Sequence, residues 1–323
     1  MKAQRDVFLD ELYLAAQKDP NVILISVDMG APALDRWRTD LPNQFFSAGI
    51  SEQNAINVAS GLSSQNKKVF VYMMACWAAR CFEQIRYSCA MAGNAITILG
   101  NGVALGYVPA GPAHEPTEDI AYMRSLVGVE ILSPASSALI PSLVRNLLDN
   151  PRLSYVRLER SVPKLVDEII TKKGDEHFRN FDGSPYVFYG EPDFTNKTKN
   201  VVFFASGYIL ERAVRCAEHL LKNGISVSVI DVCRITSLNK EYFKKLLINV
   251  GFVITLEEQT LAGGFGSAIL EIISDSNIKD ISVLRIGLES RFIFENGTRE
   301  ELLDANGFQI TDLIQRIENH IAV

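Results

Sequence analysis

Short apolar runs rich in Val and Ile alternate with amphipathic stretches along almost the whole of this chain. NVILISVDMG, KKVFVYMMA, NAITILGNG, VEILSPA and LSYVRLER carry no polar alternation, which is the pattern of strands buried on both faces. Between them NAINVASGLSSQN, ARCFEQIRYSCAMAG, PTEDIAYMRSLVG and SSALIPSLVRNLLDNP repeat apolar residues at helical spacing, the third opened by Pro116 and Thr117. Strands that alternate with helices predict a mostly parallel sheet covered on both sides. The series runs to about residue 162. Residues 163–199 are polar and rich in Gly, Pro, Asp and Asn, and read as a linker. A second series, from VVFFASGY to a last helix near ITDLIQRIENHI, fills residues 200–323. The expected fold is α/β with two domains, each a mostly parallel sheet flanked by helices.

The remaining composition narrows the classes of function. A formal charge of −6 with scattered Lys and Arg offers no basic face for a phosphate backbone, so no nucleic-acid partner is expected. No apolar run approaches the roughly 18 residues needed to span a bilayer. The charged first helix is not a secretory leader. A soluble, cytoplasmic protein without a membrane partner is expected. The five cysteines, Cys76, Cys81, Cys89, Cys216 and Cys233, lack metal-type spacing and read as reduced thiols.

Open α/β sheets bind ligands beyond the carboxyl ends of their strands. Asp28, Glu52, the GNG of residues 100–102 and the loop GYVPAGPAHEP all fall at such ends. Glu52 is the most informative of them. It follows a Gly-Ile-Ser turn and opens an otherwise uncharged helix in FFSAGISEQN. A carboxylate there can simply complement the helix dipole, worth about 0.3–1 kcal/mol, or it can be a reactive group.

Read together, FFSAGISEQNAINVASGL, ACWAARCFEQIR and GPAHEPTEDIAYMRSLVGVEILSPA resemble the pyrimidine-binding domain of transketolases. VVFFASGYILERAVRCAEHLLKNGISVSVIDVCRITSLN and VITLEEQTLAGGFGSAI resemble the C-terminal domain of the same family. The Gly-Asp-Gly signature of the family's diphosphate- and magnesium-binding domain is absent. The resemblance therefore implies half of a split transketolase. A partner chain would bind Mg2+ and the diphosphate of thiamine diphosphate, this chain would bind the pyrimidine end, and an α2β2 assembly would follow. No metal ligand is expected on this chain. The implied reaction moves a two-carbon ketol unit from a sugar or sugar phosphate to an aldehyde. The beta subunit of a 2-oxo-acid dehydrogenase shares this architecture and stands as the alternative, with a non-catalytic scaffold as a third reading.

By the same resemblance, Glu52 matches the glutamate that hydrogen-bonds the aminopyrimidine nitrogen N1′ and favours the imino form of the cofactor, which requires a buried carboxyl group. Trp77 matches an aromatic that lies against the pyrimidine, with Phe82 and Tyr72 as competitors. Asp28 matches an acidic residue near the cofactor across the subunit interface. His114 matches the position that faces the reactive carbon and the substrate. Arg160 matches the arginine that binds a substrate phosphate, with Arg157 as its competitor. The sequence departs from the family at Ala110, where single-chain enzymes carry an acidic residue, and near Gly102, where a histidine is expected. These departures put the usual sugar-phosphate donors in question and leave a modified or branched sugar conceivable.

Overall fold

In the computed structural model, residues 2–173, 186–190 and 200–322 are described. The first sheet has six parallel strands: β1 Val22–Ser26, β2 Phe45–Ser47, β3 Lys68–Met74, β4 Ile96–Asn101, β5 Glu130–Leu132 and β6 Ser154–Leu158, in the order β2-β1-β3-β4-β6-β5. Side chains leave a strand alternately on its two faces. Val22 and Leu24 of β1 accordingly join one core with Phe8, Leu12, Trp37 and Tyr72, while Ile23 and Ile25 join a second with Val71, Ile98 and Tyr155. Both faces are apolar because helices cover both. The edge strand β2 escapes sequence reading: it is three residues long, and its side chains are half-buried or exposed.

The second sheet orders β7 Tyr186–Tyr189, β8 Asn200–Ala205, β9 Ser226–Asp231, β10 Phe252–Thr260 and β11 Ser282–Leu288 as β11-β10-β8-β9-β7. Four strands run parallel, and β7 pairs antiparallel with β9. Of the segment read as a linker, 174–185 and 191–199 lie outside the described residues. Its described parts are regular: a helix Lys164–Lys173 and the strand β7.

The sheets share one apolar cluster, in which Ile98 and Tyr155 of the first join Phe204 and Phe243 of the second. Backbone bonds cross the boundary as well. Ser133 N–H donates to Cys233 O (2.7 Å), Ile235 N–H to Ile131 O (2.9 Å) and Thr260 N–H to Thr117 O (2.9 Å). The loop after β10 is thereby fixed beside the GPAHEPT loop. Among the described residues, no helix is long and apolar enough to cross a membrane, and no group of three His, Cys, Asp or Glu is placed to hold a metal ion.

Candidate active site

Winding of the first sheet reverses at β1: the chain steps to β2 on one side and then to β3 on the other. The ends of β1 and β3 therefore flank a crevice at the switch point, where open α/β sheets take their ligands. After β2 the chain turns through Gly49 at φ +63°, and no atom lies within 4 Å of where its Cβ would stand. Backbone conformation, and not space, asks for glycine here. The helix Glu52–Ser63 starts after that turn.

Ser51 Oγ donates to Ala48 O (2.6 Å) and does not cap the helix. Glu52, the first helical residue, is only 5% exposed. Its Oε1 has no hydrogen-bond partner, and its Oε2 stands 3.7 Å from Nη1 of Arg80, a side chain that is 60% exposed. An ion pair that long and that wet contributes little. A buried acceptor left unpaired costs about 1–3 kcal/mol, which a donor arriving from outside the chain would remove. The site fits the protonated ring nitrogen of an aminopyrimidine.

Past β3 the chain enters a tight 3₁₀ segment, Ala75–Cys81, held to the first turn of the Glu52 helix by Gln53 Nε2 donating to Arg80 O (3.0 Å). The segment carries Trp77, half-buried, with its ring 6.2 Å from that of His114 at 61°. His114 ends the short turn Pro112–His114, entered through Gly111 at φ +74°. Its Nδ1 is buried and unpaired. Glu52, Trp77 and His114 thus belong to one constellation, linked through Arg80 and the Trp77 ring.

The competing aromatics lie elsewhere. Tyr72 is wholly buried in the core on the far face of β3, and Phe82 packs against the core on the near face. Among the described residues, neither makes a ring contact with Trp77 or His114. Asp28 is exposed at the open end of β1 in the left-handed region (φ +38°), just after Val27, whose N–H donates to Tyr72 O (3.0 Å). It contacts none of the other three among the described residues.

The two arginines of YVRLERS differ sharply. Arg157 is buried, with Nε donating to Asp119 Oδ2 (2.9 Å) and Nη1 to Ser133 Oγ (3.1 Å). Arg160, just beyond β6, is exposed and has no carboxylate partner among the described residues; its guanidinium lies 4.6 Å from the centroid of the Tyr107 ring.

Comparison with known proteins fixes the lineage. The family model of the transketolase pyrimidine binding domain matches residues 1–164, and that of the transketolase C-terminal domain matches residues 190–313. The chain belongs to the transketolase family. One of the two subunits of an apulose-4-phosphate transketolase of Phocaeicola vulgatus is 29% identical over 302 residues, which cover 93% of this chain and 92% of the relative. The 6-deoxy-6-sulfo-D-fructose transketolase subunit SqwH of a Clostridium species is 25% identical, with 96% and 92% covered. Among solved structures, a split gene transketolase described as an inactive beta4 tetramer superposes with a TM-score of 0.85 at 27% identity, covering 100% of this chain and 99% of that one. A transketolase of Pichia stipitis shares the fold, with a TM-score of 0.78 at 17% identity, and this chain covers 46% of it.

Within this transketolase fold, one carboxyl group beside His114 went unread in the sequence. Glu115 is buried, and its carboxyl is pushed up to about 7, first by burial and then by the nearby Glu258 and Glu295. A folded-state value above the ordinary 4.5 means that the native state holds its proton longer than the unfolded chain does. Glu115 therefore stabilises the fold fully below about pH 4.5, and that contribution is lost as pH rises through about 7. Glu115→Gln should flatten the decline of the thermal midpoint across this window. An unchanged slope in a melting series would contradict the assignment. The signal in the sequence was only a Glu next to the motif histidine; its acidic neighbours come from the other domain.

Proposed function

We propose that this chain supplies the pyrimidine side of a thiamine diphosphate site in a two-chain transketolase, and that the complex transfers a two-carbon ketol unit from a ketose to an aldehyde. The observation that carries the reading is the buried, unpartnered Oε1 of Glu52 at the switch-point crevice of a transketolase pyrimidine-binding domain. Bound thiamine diphosphate supplies a nucleophilic carbon that protein side chains lack. The roles left to this chain are binding, orientation and proton placement.

Glu52 holds a proton between its carboxyl group and the ring nitrogen N1′. The indole of Trp77 offers an apolar face to the flat pyrimidine. His114, with Nδ1 unpaired, binds a substrate hydroxyl or moves its proton. Asp28 stands on the open side of the crevice, on the face that the partner chain closes. Arg160, and not the ion-paired Arg157, receives an anionic group at the far end of the sugar. Two relatives support that last role, since one is named for a sugar phosphate and the other for a sulfonated sugar. The diphosphate and Mg2+ fall to the partner chain, in an α2β2 complex.

The test is reconstitution with a chain that carries the Gly-Asp-Gly domain. Mixing should produce aldose from a ketose phosphate only when both chains and thiamine diphosphate are present. If the mixture instead decarboxylates a 2-oxo acid and moves no ketol unit, the reading fails.

A further inference from the structure

The histidine expected near Gly102 is missing, and the structure accounts for the space. Gly102 follows β4 at φ +74°, and a Cβ built on it would lie 1.9 Å from the ring of Tyr107. The Tyr107 ring therefore occupies the volume that any side chain at position 102 would need. Two contacts hold it there. Its hydroxyl accepts from Asn101 Nδ2 (3.1 Å), and its face lies under the Arg160 guanidinium. The strands bring these groups together: Asn101 of β4 pairs with Leu158 of β6, and Gly102 N–H donates to Leu158 O (2.9 Å). Tyr107 and Arg160 thus meet beyond two adjacent strand ends. Arg160 is otherwise without an ionic partner among the described residues, so the ring is what fixes its direction.

We propose that Tyr107 is a positioning residue, which aims Arg160 at the tetrahedral oxyanion, phosphate or sulfonate, that ends the sugar substrate. The inference rests on the transketolase reading for its substrate, but not for its geometry. A guanidinium stacked on an aromatic face keeps all its N–H donors in the ring-parallel plane, free to grip oxyanion oxygens in pairs. Loss of the ring leaves Arg160 charged but unaimed. Glycine at 102 and tyrosine at 107 form one device, exchanging a side chain at the strand end for an arginine platform.

Two measurements test this. In the reconstituted complex, kcat/KM for a phosphate-ended donor relative to its unphosphorylated counterpart should fall roughly 10- to 100-fold in Arg160→Gln, the range for a hydrogen bond to a charged group. It should fall about fivefold in Tyr107→Leu, the upper range for an exposed cation–π contact, through KM more than kcat. Tyr107→Phe keeps the ring and should keep most of the preference. Adding Tyr107→Leu to Arg160→Gln should cost nothing further, because the two side chains act as one unit. Running phosphate- and sulfonate-ended donors side by side shows which oxyanion the pair selects. Additive losses, or a Tyr107→Leu complex with unaltered preference, would overturn the proposal. A second readout does not depend on turnover. Line broadening of inorganic phosphate in 31P spectra should be seen with the wild-type chain and Tyr107→Phe, weaken in Tyr107→Leu and vanish in Arg160→Gln. Equal broadening by all four chains would also overturn it. Absence of ketol transfer by the wild-type complex, with this ranking intact, would refute the transketolase reading and leave the oxyanion pair standing.

Discussion

Glu52→Gln should abolish nearly all ketol transfer by the reconstituted complex, by a factor of about 10² to 10⁴, while leaving the chain folded. Glutamine keeps the size and acceptor oxygen of the side chain but cannot share a proton with a ring nitrogen. The fold has little at stake in the exchange. Among the described residues, the cation paired with the carboxyl group is Arg80, at 3.7 Å with its side chain 60% exposed, and such pairs contribute at most about 1 kcal/mol. The carboxylate's interaction with the helix start is of similar size, about 0.3–1 kcal/mol. Against these stands the relief of burying an amide in place of an unpartnered acid. The thermal midpoint of the variant should stay within a few degrees of wild type, at about 2–4 °C per kcal/mol for chains of this size class. A melt and an aldose-release assay on the same preparation separate the two effects. Turnover near the wild-type rate would show that Glu52 is a helix-start carboxylate and nothing more.

The parallel strands could be read because each is a run of apolar residues with no solvent face to interrupt it. What could not be read had a physical cause in each case. β2 is short and exposed, so FFS carries neither length nor alternation. β7 is four residues inside a polar segment and owes its place to pairing with β9. ARCFEQIRYSCAMAG has helical spacing but folds as 3₁₀, α and then π turns, with Cys81 in the bridge region at φ −95°, ψ 4°. The site shows the same division. Glu52, Trp77 and His114 sit in local motifs whose residue types announce them. Gly102 and Tyr107 are only five positions apart, yet nothing in the loop GVALGY shows that one ring fills the other's missing side chain. The partners of Glu115 are more remote still, since Glu258 and Glu295 arrive from the second domain.

Arg299→Met should produce the largest loss of stability, because the residue closes a buried charge network between the domains. Its Nε and Nη2 donate to the two oxygens of Glu258 (2.8 and 2.6 Å), its Nη1 donates to Glu159 Oε2 (2.8 Å), and its guanidinium lies 3.8 Å from the centroid of the Tyr208 ring. Glu159 follows β6 of the first sheet, and its backbone N–H donates to the side chain of Gln4 (2.8 Å). Glu258 belongs to β10 of the second and also accepts from the Leu105 N–H (3.2 Å). Both carboxyl groups are nearly inaccessible, at 3% and 6% exposed. Methionine fills much of the volume but leaves two buried acids without their cation, a change that costs about 3–5 kcal/mol. That is a large share of the roughly 5–15 kcal/mol that holds a domain together. The cost has a pH signature. Burial already raises the Glu258 carboxyl, and without Arg299 both acids would hold their protons more tightly in the folded chain than in the unfolded one. The variant's deficit should therefore shrink as pH falls through the carboxylate range and grow toward neutrality. Converting Glu159 and Glu258 to Gln in the same chain removes the stranded charges and should restore most of the loss. Thermal unfolding of the single and triple variants at pH 5 and pH 8 checks both statements. A deficit equal at the two pH values and unrelieved by the two glutamines would mean that Arg299 acts through packing on Tyr208 instead of through its charge.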